Sequence, residues 1–97
     1  LGVLGGTFTP LSDQQKRSLE VSNGVQVKIT DREAALASAG VNDGFIILSI
    51  NNIPIASAED VEKIFNQVRE QRDKVLFLIG LYPSGKQAYY AVDLSDQ

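Results

Sequence analysis

The chain contains no histidine, cysteine, methionine or tryptophan among its 97 residues. Without histidine it cannot form a Ser-His-Asp triad or a histidine-ligated zinc site. Without cysteine it has neither disulfide bonds nor thiolate ligands. We therefore expect no enzyme active site within these residues, no cofactor and no bound metal.

The carboxylates and glycines that remain have structural explanations. Asp31, Glu33, Glu59 and Asp60 lie where helices are predicted to begin, and helix N-termini favour negative charge. The glycine-rich opening LGVLGG lacks both the Lys-Ser/Thr ending of a phosphate loop and the spacing of a dinucleotide site. Neither group of residues predicts catalysis or nucleotide binding.

Charge and hydropathy exclude two classes of partner. The net charge of −3 argues against nucleic acid or an anionic membrane surface, because both attract basic proteins. No apolar run approaches the ~20 residues of a membrane span. Hydrophobic residues make up 43% and charged residues 22%, which is typical of a globular domain. We interpret residues 1–97 as one domain excised from a longer chain.

Alternating and apolar patterns predict short strands. Residues 24–30 alternate strictly between apolar and polar side chains, as a half-buried strand does. Residues 45–50 form an apolar run, which favours a strand buried on both faces. Further strands are predicted at 3–9, at 53–55, where Pro54 indicates an edge position, and at 74–82 and 87–94, which form a hairpin.

Capping residues predict where three helices begin. Ser12 with Gln15, Thr30 with Glu33, and Ser57 with Asp60 each match the capping-box pattern. The third pair precedes a helix over about 58–71, in which Val61, Ile64, Phe65 and Val68 form one apolar stripe. One real helix among short strands predicts an α+β fold.

The order of these elements and several motifs resemble the circularly permuted PDZ domain of bacterial Do/HtrA-type serine proteases. Residues 4–12 (LGGTFTPLS) resemble the family's opening LGVxxxPLT, and residues 50–55 (INNIPI) resemble INGxPI. Residues 34–47 resemble SPAAxAGLxxGDVI, residues 57–64 resemble the helix opening SxxDLxxxI, and residues 82–94 resemble the closing hairpin. Phe45 stands where the family has an acidic residue, and Asn52 where it has glycine.

The resemblance implies an open, partly closed β-sandwich or barrel of five or six short strands, capped by one longer and one or two short helices. It also implies peptide binding by strand addition to a sheet edge. The family's site maps onto three groups of residues. These are the carboxylate loop Leu4, Gly5 and Gly6, the augmented strand Thr7, Phe8 and Thr9, and the groove helix positions Ala58, Val61, Glu62 and Phe65.

Several alternatives stay open at this stage. Leu1, Gly2 and Val3 also match the loop pattern, and Gly6 stands where a hydrophobic residue is expected. The expected partners are peptide or unfolded-protein segments, and protease and PDZ domains of a homo-oligomeric periplasmic or envelope parent. The closing hairpin favours the second PDZ domain of such a parent. An assembly domain that docks on its neighbours, or a PDZ domain of another envelope protease, is the alternative.

Overall fold

The computed structural model describes residues 4–95 as one antiparallel sheet with three helices. No helix among these residues has the length and apolarity needed to cross a bilayer. The elements, in chain order, are β1 (Gly6–Pro10), α1 (Asp13–Leu19), β2 (Val25–Ile29), α2 (Ala35–Ser38), β3 (Ile46–Ile50), β4 (Ile53–Pro54), α3 (Ala58–Val68), β5 (Val75–Leu81) and β6 (Gln87–Asp93).

The sheet has the order β1-β2-β3-β5-β6, and β4 pairs with β3 outside this path. Each pairing is antiparallel, and within the described residues the sheet does not close on itself. The predicted α+β fold with short strands is therefore confirmed. β1 forms one edge of the sheet, and this position makes its outer backbone groups available for pairing.

Two apolar clusters lie on opposite faces of the sheet. The larger one contains Phe45, Ile47 and Leu78, and the buried side of α3 covers it. The smaller one contains Leu11, Ile46 and Leu81, with Leu19 of α1 packed against it. Ile46 and Ile47 enter different clusters because successive side chains of a strand point to opposite faces.

An aromatic group stands at the centre of the larger cluster. The ring of Phe45 is fully buried and lies 5.2 Å from the Tyr82 centroid and 5.0 Å from the Tyr90 centroid. The Tyr90 contact is edge-to-face, an arrangement that aromatic quadrupoles favour. Gly80 permits this packing, since a Cβ there would lie 2.9 Å from Phe45 and 1.8 Å from the Ile46 carbonyl oxygen.

Two of the three predicted capping boxes are confirmed. Ser12 Oγ accepts from Gln15 N at 3.1 Å, and Ser57 Oγ accepts from Asp60 N at 3.3 Å. In both boxes the third-residue side chain also accepts from the N-cap backbone. These contacts fix the entry of α1 and α3, because they satisfy helix N–H groups that have no partner within the helix.

Two sequence predictions about helices are wrong. Thr30 and Glu33 do not cap α2, whose N-cap is Ala34 without a side-chain bond; Asp31 Oδ1 instead accepts from Glu33 N at 2.9 Å. The long helix ends at Val68 and not near residue 71. The N–H of Gln71 donates to the Val68 carbonyl, so the end tightens into three-residue turns.

The Tyr82–Tyr90 hydroxyl pair, with its oxygens 2.5 Å apart, predicts a pH-dependent stability. Burial and the hydrogen bond to Tyr82 raise the pKa of Tyr90 to about 12 from 10.0. An unfolded chain therefore releases this proton first, and the free energy of unfolding should fall as the pH rises from 10 towards 12. Urea titrations across this range should show a shallower fall for Tyr90→Phe. Tyr89→Phe, which changes an exposed ring, is the control, and its free energy of unfolding should fall with pH as steeply as that of the parent chain. Equal pH dependence in all three proteins would contradict the role given to Tyr90.

Candidate functional site

The hydrogen bonds between β1 and β2 determine which backbone groups stay open at the edge. Thr30 N donates to the Gly5 carbonyl at 2.8 Å, and Leu11 N donates to the Gly24 carbonyl at 3.2 Å. Between these points the register pairs Thr7 with Lys28. Backbone groups alternate in direction along an antiparallel strand, so odd-numbered residues of β1 point to β2.

Gly6 and Phe8 consequently turn their N–H and C=O groups away from β2, towards the open edge. Pro10 has the same orientation but carries no N–H. The edge therefore offers two complete donor–acceptor pairs and one further carbonyl.

Side chains of β1 divide between the two faces of the sheet. Phe8 is buried in the larger core cluster, whereas Thr7 and Thr9 are exposed on the opposite face. The predicted augmentation strand Thr7, Phe8 and Thr9 thus lies at an edge, with Phe8 as the residue whose backbone is open. An added strand would place the side chain facing Phe8 on the α3 side of the sheet.

The predicted carboxylate loop is a tight turn before β1. Leu4 and Gly5 have φ values of 64° and 80°, in the left-handed region. The Gly5 carbonyl accepts from Thr30 N at 2.8 Å and Asp31 N at 3.1 Å, and the Leu4 carbonyl accepts from Leu36 N at 3.3 Å. The loop carbonyls are thus directed into the protein. The alternative loop Leu1, Gly2 and Val3 lies outside the described residues.

The predicted groove helix packs beside β1 and β5. Ala58 and Phe65 are half-buried, Glu62 is exposed, and Val61 is fully buried, so Val61 can only support the groove from behind. Arg69 continues the line of 58, 62 and 65 along one side of the helix. Its guanidinium lies 5.7 Å from the Phe65 ring centroid.

Sequence reasoning missed an exposed apolar surface, which we call the outer face and define as Phe77, Ile79 and Tyr89. These side chains are 58%, 37% and 67% exposed, and Ile79 lies directly opposite Tyr89 in the sheet. The apolar run of β5 does not show whether one of its faces is exposed. In the structure α1 covers a different part of this face of the sheet, and the side chains of the outer face therefore stay exposed.

Residues 4–95 contain no group of three or more histidine, cysteine, aspartate or glutamate side chains placed to hold a metal ion. The site is a backbone edge with a helix beside it, and it can hold another polypeptide segment by main-chain hydrogen bonds.

Comparison with known families gives one match that covers most of the chain. The sequence model of the PDZ-like domain matches residues 1–71. Two curated relatives are each named "Probable periplasmic serine endoprotease DegP-like". The one from Rhizobium meliloti is 34% identical over 80 residues, which are 81% of this chain and 14% of the relative. The one from Halomonas elongata is 30% identical over 94 residues, 97% of this chain and 19% of the relative.

Solved structures show the same fold. The HtrA3 PDZ domain bound to a phage-derived ligand (FGRWV) has a TM-score of 0.71 at 18% identity, covering 93% of this chain and 81% of that one. The PDZ domain of EpsC from Vibrio cholerae has a TM-score of 0.63 at 13% identity, and the match covers 97% of this chain and 100% of that domain. The chain spans less than a fifth of the length of either curated relative.

The loop geometry predicts that Gly5 cannot be replaced without loss of stability. Gly5 and Gly85 both have positive φ, of 80° and 92°, so alanine costs each about 1–2 kcal/mol of strain. A Cβ at Gly5 would also lie 2.3 Å from Ala34 Cβ, whereas nothing lies within 4 Å of one at Gly85. Overpacking should add roughly 1–3 kcal/mol to the loss for Gly5→Ala. Urea denaturation of both variants measures this difference, and equal losses would contradict it.

Proposed function

The chain belongs to the PDZ-like domain family, and on this basis we propose that it binds extended peptide segments, free C-termini among them, by strand addition to β1. The observation that carries the proposal is the pair of outward-facing backbone positions, Gly6 and Phe8. Main-chain hydrogen bonds give affinity for many sequences, and neighbouring side chains give selectivity.

The direction of the bound peptide follows from antiparallel pairing. The peptide's C-terminus lies at the loop of Leu4, Gly5 and Gly6, where the Gly6 N–H is open to the terminal carboxylate. Its last residue pairs with Gly6 and its third residue from the end pairs with Phe8. Both side chains face α3, because opposed residues share a face.

The α3 side chains suggest the chemistry of the ligand. The last residue meets Gly6, which has no side chain of its own, and the half-buried ring of Phe65 gives it an apolar neighbour. Exposed Glu62 on the same helix favours a cationic or hydrogen-bonding side chain at the third residue from the end. The ligand named for the HtrA3 domain, FGRWV, has valine and arginine at these two positions, which makes it a suitable first probe.

The parent protein is proposed from the curated relatives. Both are named periplasmic serine endoproteases. We propose that this chain is a module of such an enzyme, acts in the periplasm, and presents unfolded substrate segments to a protease domain elsewhere. The module supplies binding alone, since the triad chemistry needs a histidine that these residues lack.

Peptide titration tests the proposed binding mode. Amide NMR shifts on adding free-carboxylate peptides, with acetyl-FGRWV first, should concentrate at residues 4–9 and 58–66. N-methylation of the peptide's third residue from the end should weaken binding by about tenfold or more, because that N–H would donate to the Phe8 carbonyl and the methyl group also obstructs pairing.

The same peptide supplies the control. N-methylation of its second residue from the end should leave affinity nearly unchanged, since that N–H points away from β1. The proposal would be overturned by shifts that are confined to other surfaces. It would also be overturned by the absence of shifts at about millimolar peptide, because a Kd above this concentration is too weak for specific binding.

The outer face supports a second candidate function, docking on another folded domain of the same polypeptide. The largest exposed apolar patch of a folded domain is often functional, even where it measures only a few hundred Å². The two aromatic rings of this face expose roughly 250 Å² together, given the area that such side chains bury. A stable dimer buries about 800 Å² on each partner, so the apolar centre is small for association between free molecules.

A tethered partner needs less contact, because a linker supplies an effective concentration of about millimolar. The curated relatives contain more than four-fifths of their length outside the matched region. A neighbouring domain of the same polypeptide is therefore the occupant that this surface fits.

Hydroxyl-radical labelling tests the docking surface. Phe77 and Tyr89 should react readily in the 97-residue chain and several-fold more slowly in the full-length product of its gene, where the proposed partner covers them. Ile53, which is 46% exposed outside the outer face, is the control and should react equally in both. Equal labelling of all three residues in the two forms would contradict docking at this face.

A further inference from the structure

We propose that Pro10 ends the peptide-binding edge, so that the domain reads only the last four residues of its ligand. The inference rests on the proposed function and assigns Pro10 as the residue that determines ligand length.

Successive pairing positions on the edge differ in what they offer. At Gly6 and at Phe8 an added strand finds one donor and one acceptor. The next outward position is Pro10, where the fifth residue of the peptide from its end would lie. Its N–H could donate to the Pro10 carbonyl, but its own carbonyl would find no donor in the protein.

Beyond Pro10 the chain leaves the edge. Leu11 is buried and points to β2 like the other odd-numbered residues, its N–H donating to the Gly24 carbonyl, so it offers no backbone group at the outer edge. Ser12 then caps α1, which begins at Asp13. A helix has no open ladder of backbone groups along its side, so a longer peptide would have no strand to pair with.

A fifth residue therefore adds at most one hydrogen bond and must still be ordered. The net gain from one such bond is similar in size to the entropy lost on fixing one residue, and the two nearly cancel. The fourth residue from the end lies between the pairing positions, and its side chain faces the same side as Thr9.

Isothermal titration of the parent chain and two variants, each with two peptides of different length, tests the inference. The probes are Gly-Arg-Trp-Val and the same peptide with four alanines added before glycine, both with free amino termini, because an acetyl group would give the shorter peptide a carbonyl at the position of the fifth residue's carbonyl. For the parent chain, the two peptides should agree in Kd within about twofold. Pro10→Ala supplies the missing N–H and should bind the eight-residue peptide about fivefold more tightly, the worth of one main-chain hydrogen bond. Its affinity for the four-residue peptide should not change.

Pro83→Ala is the matched control, because Pro83 lies in the β5–β6 turn, and it should leave both affinities unchanged. Thermal unfolding of each variant verifies that it is folded. A parent chain that binds the longer peptide about tenfold or more tightly would overturn the inference and leave strand addition intact. Binding of neither peptide, together with no NMR shifts at residues 4–9, would overturn both.

Discussion

The close approach of β3 and β5 at Gly80 is the constraint on which the rest of the structure depends. The backbone of Ile46 occupies the space that a side chain at Gly80 would need, and the Phe45 ring fills the adjoining volume. At this place β3 exchanges its neighbours: Ile46 and Ile47 pair with β2 and β5, whereas Ser49 and Ile50 pair with β4 and β5. β3 thereby connects both halves of the sheet, and among residues 4–95 no strand pairs with the outer side of β1.

Most of the fold could be predicted because its signals are local. Strict alternation identified β2, and the serine caps at Ser12 and Ser57 identified the starts of α1 and α3. The failed cap at Thr30 shows the limit of such signals. Thr30 N is used by the Gly5 carbonyl, a contact between segments far apart in sequence, and this tertiary contact determines how the chain approaches α2.

The candidate site divides in the same way. Motif order located Leu4 to Thr9 and the α3 positions, and the structure brings both groups beside the same edge. The sequence does not show which residues of β1 direct their N–H and C=O groups towards β2 and which direct them towards the open edge. The outer face could not be predicted either, because the apolar sequence of residues 75–81 is compatible both with a strand buried on two faces and with a strand that has one face exposed.

The paired hydroxyls of Tyr82 and Tyr90 have an optical consequence in a protein without tryptophan. All near-ultraviolet absorption above the phenylalanine bands comes from three tyrosines, and two of them contact the buried Phe45 ring. The third, Tyr89, is exposed. Near-ultraviolet circular dichroism, which is strong only for rings held in fixed packing, therefore reports mainly on the two interior tyrosines of this molecule without any introduced label.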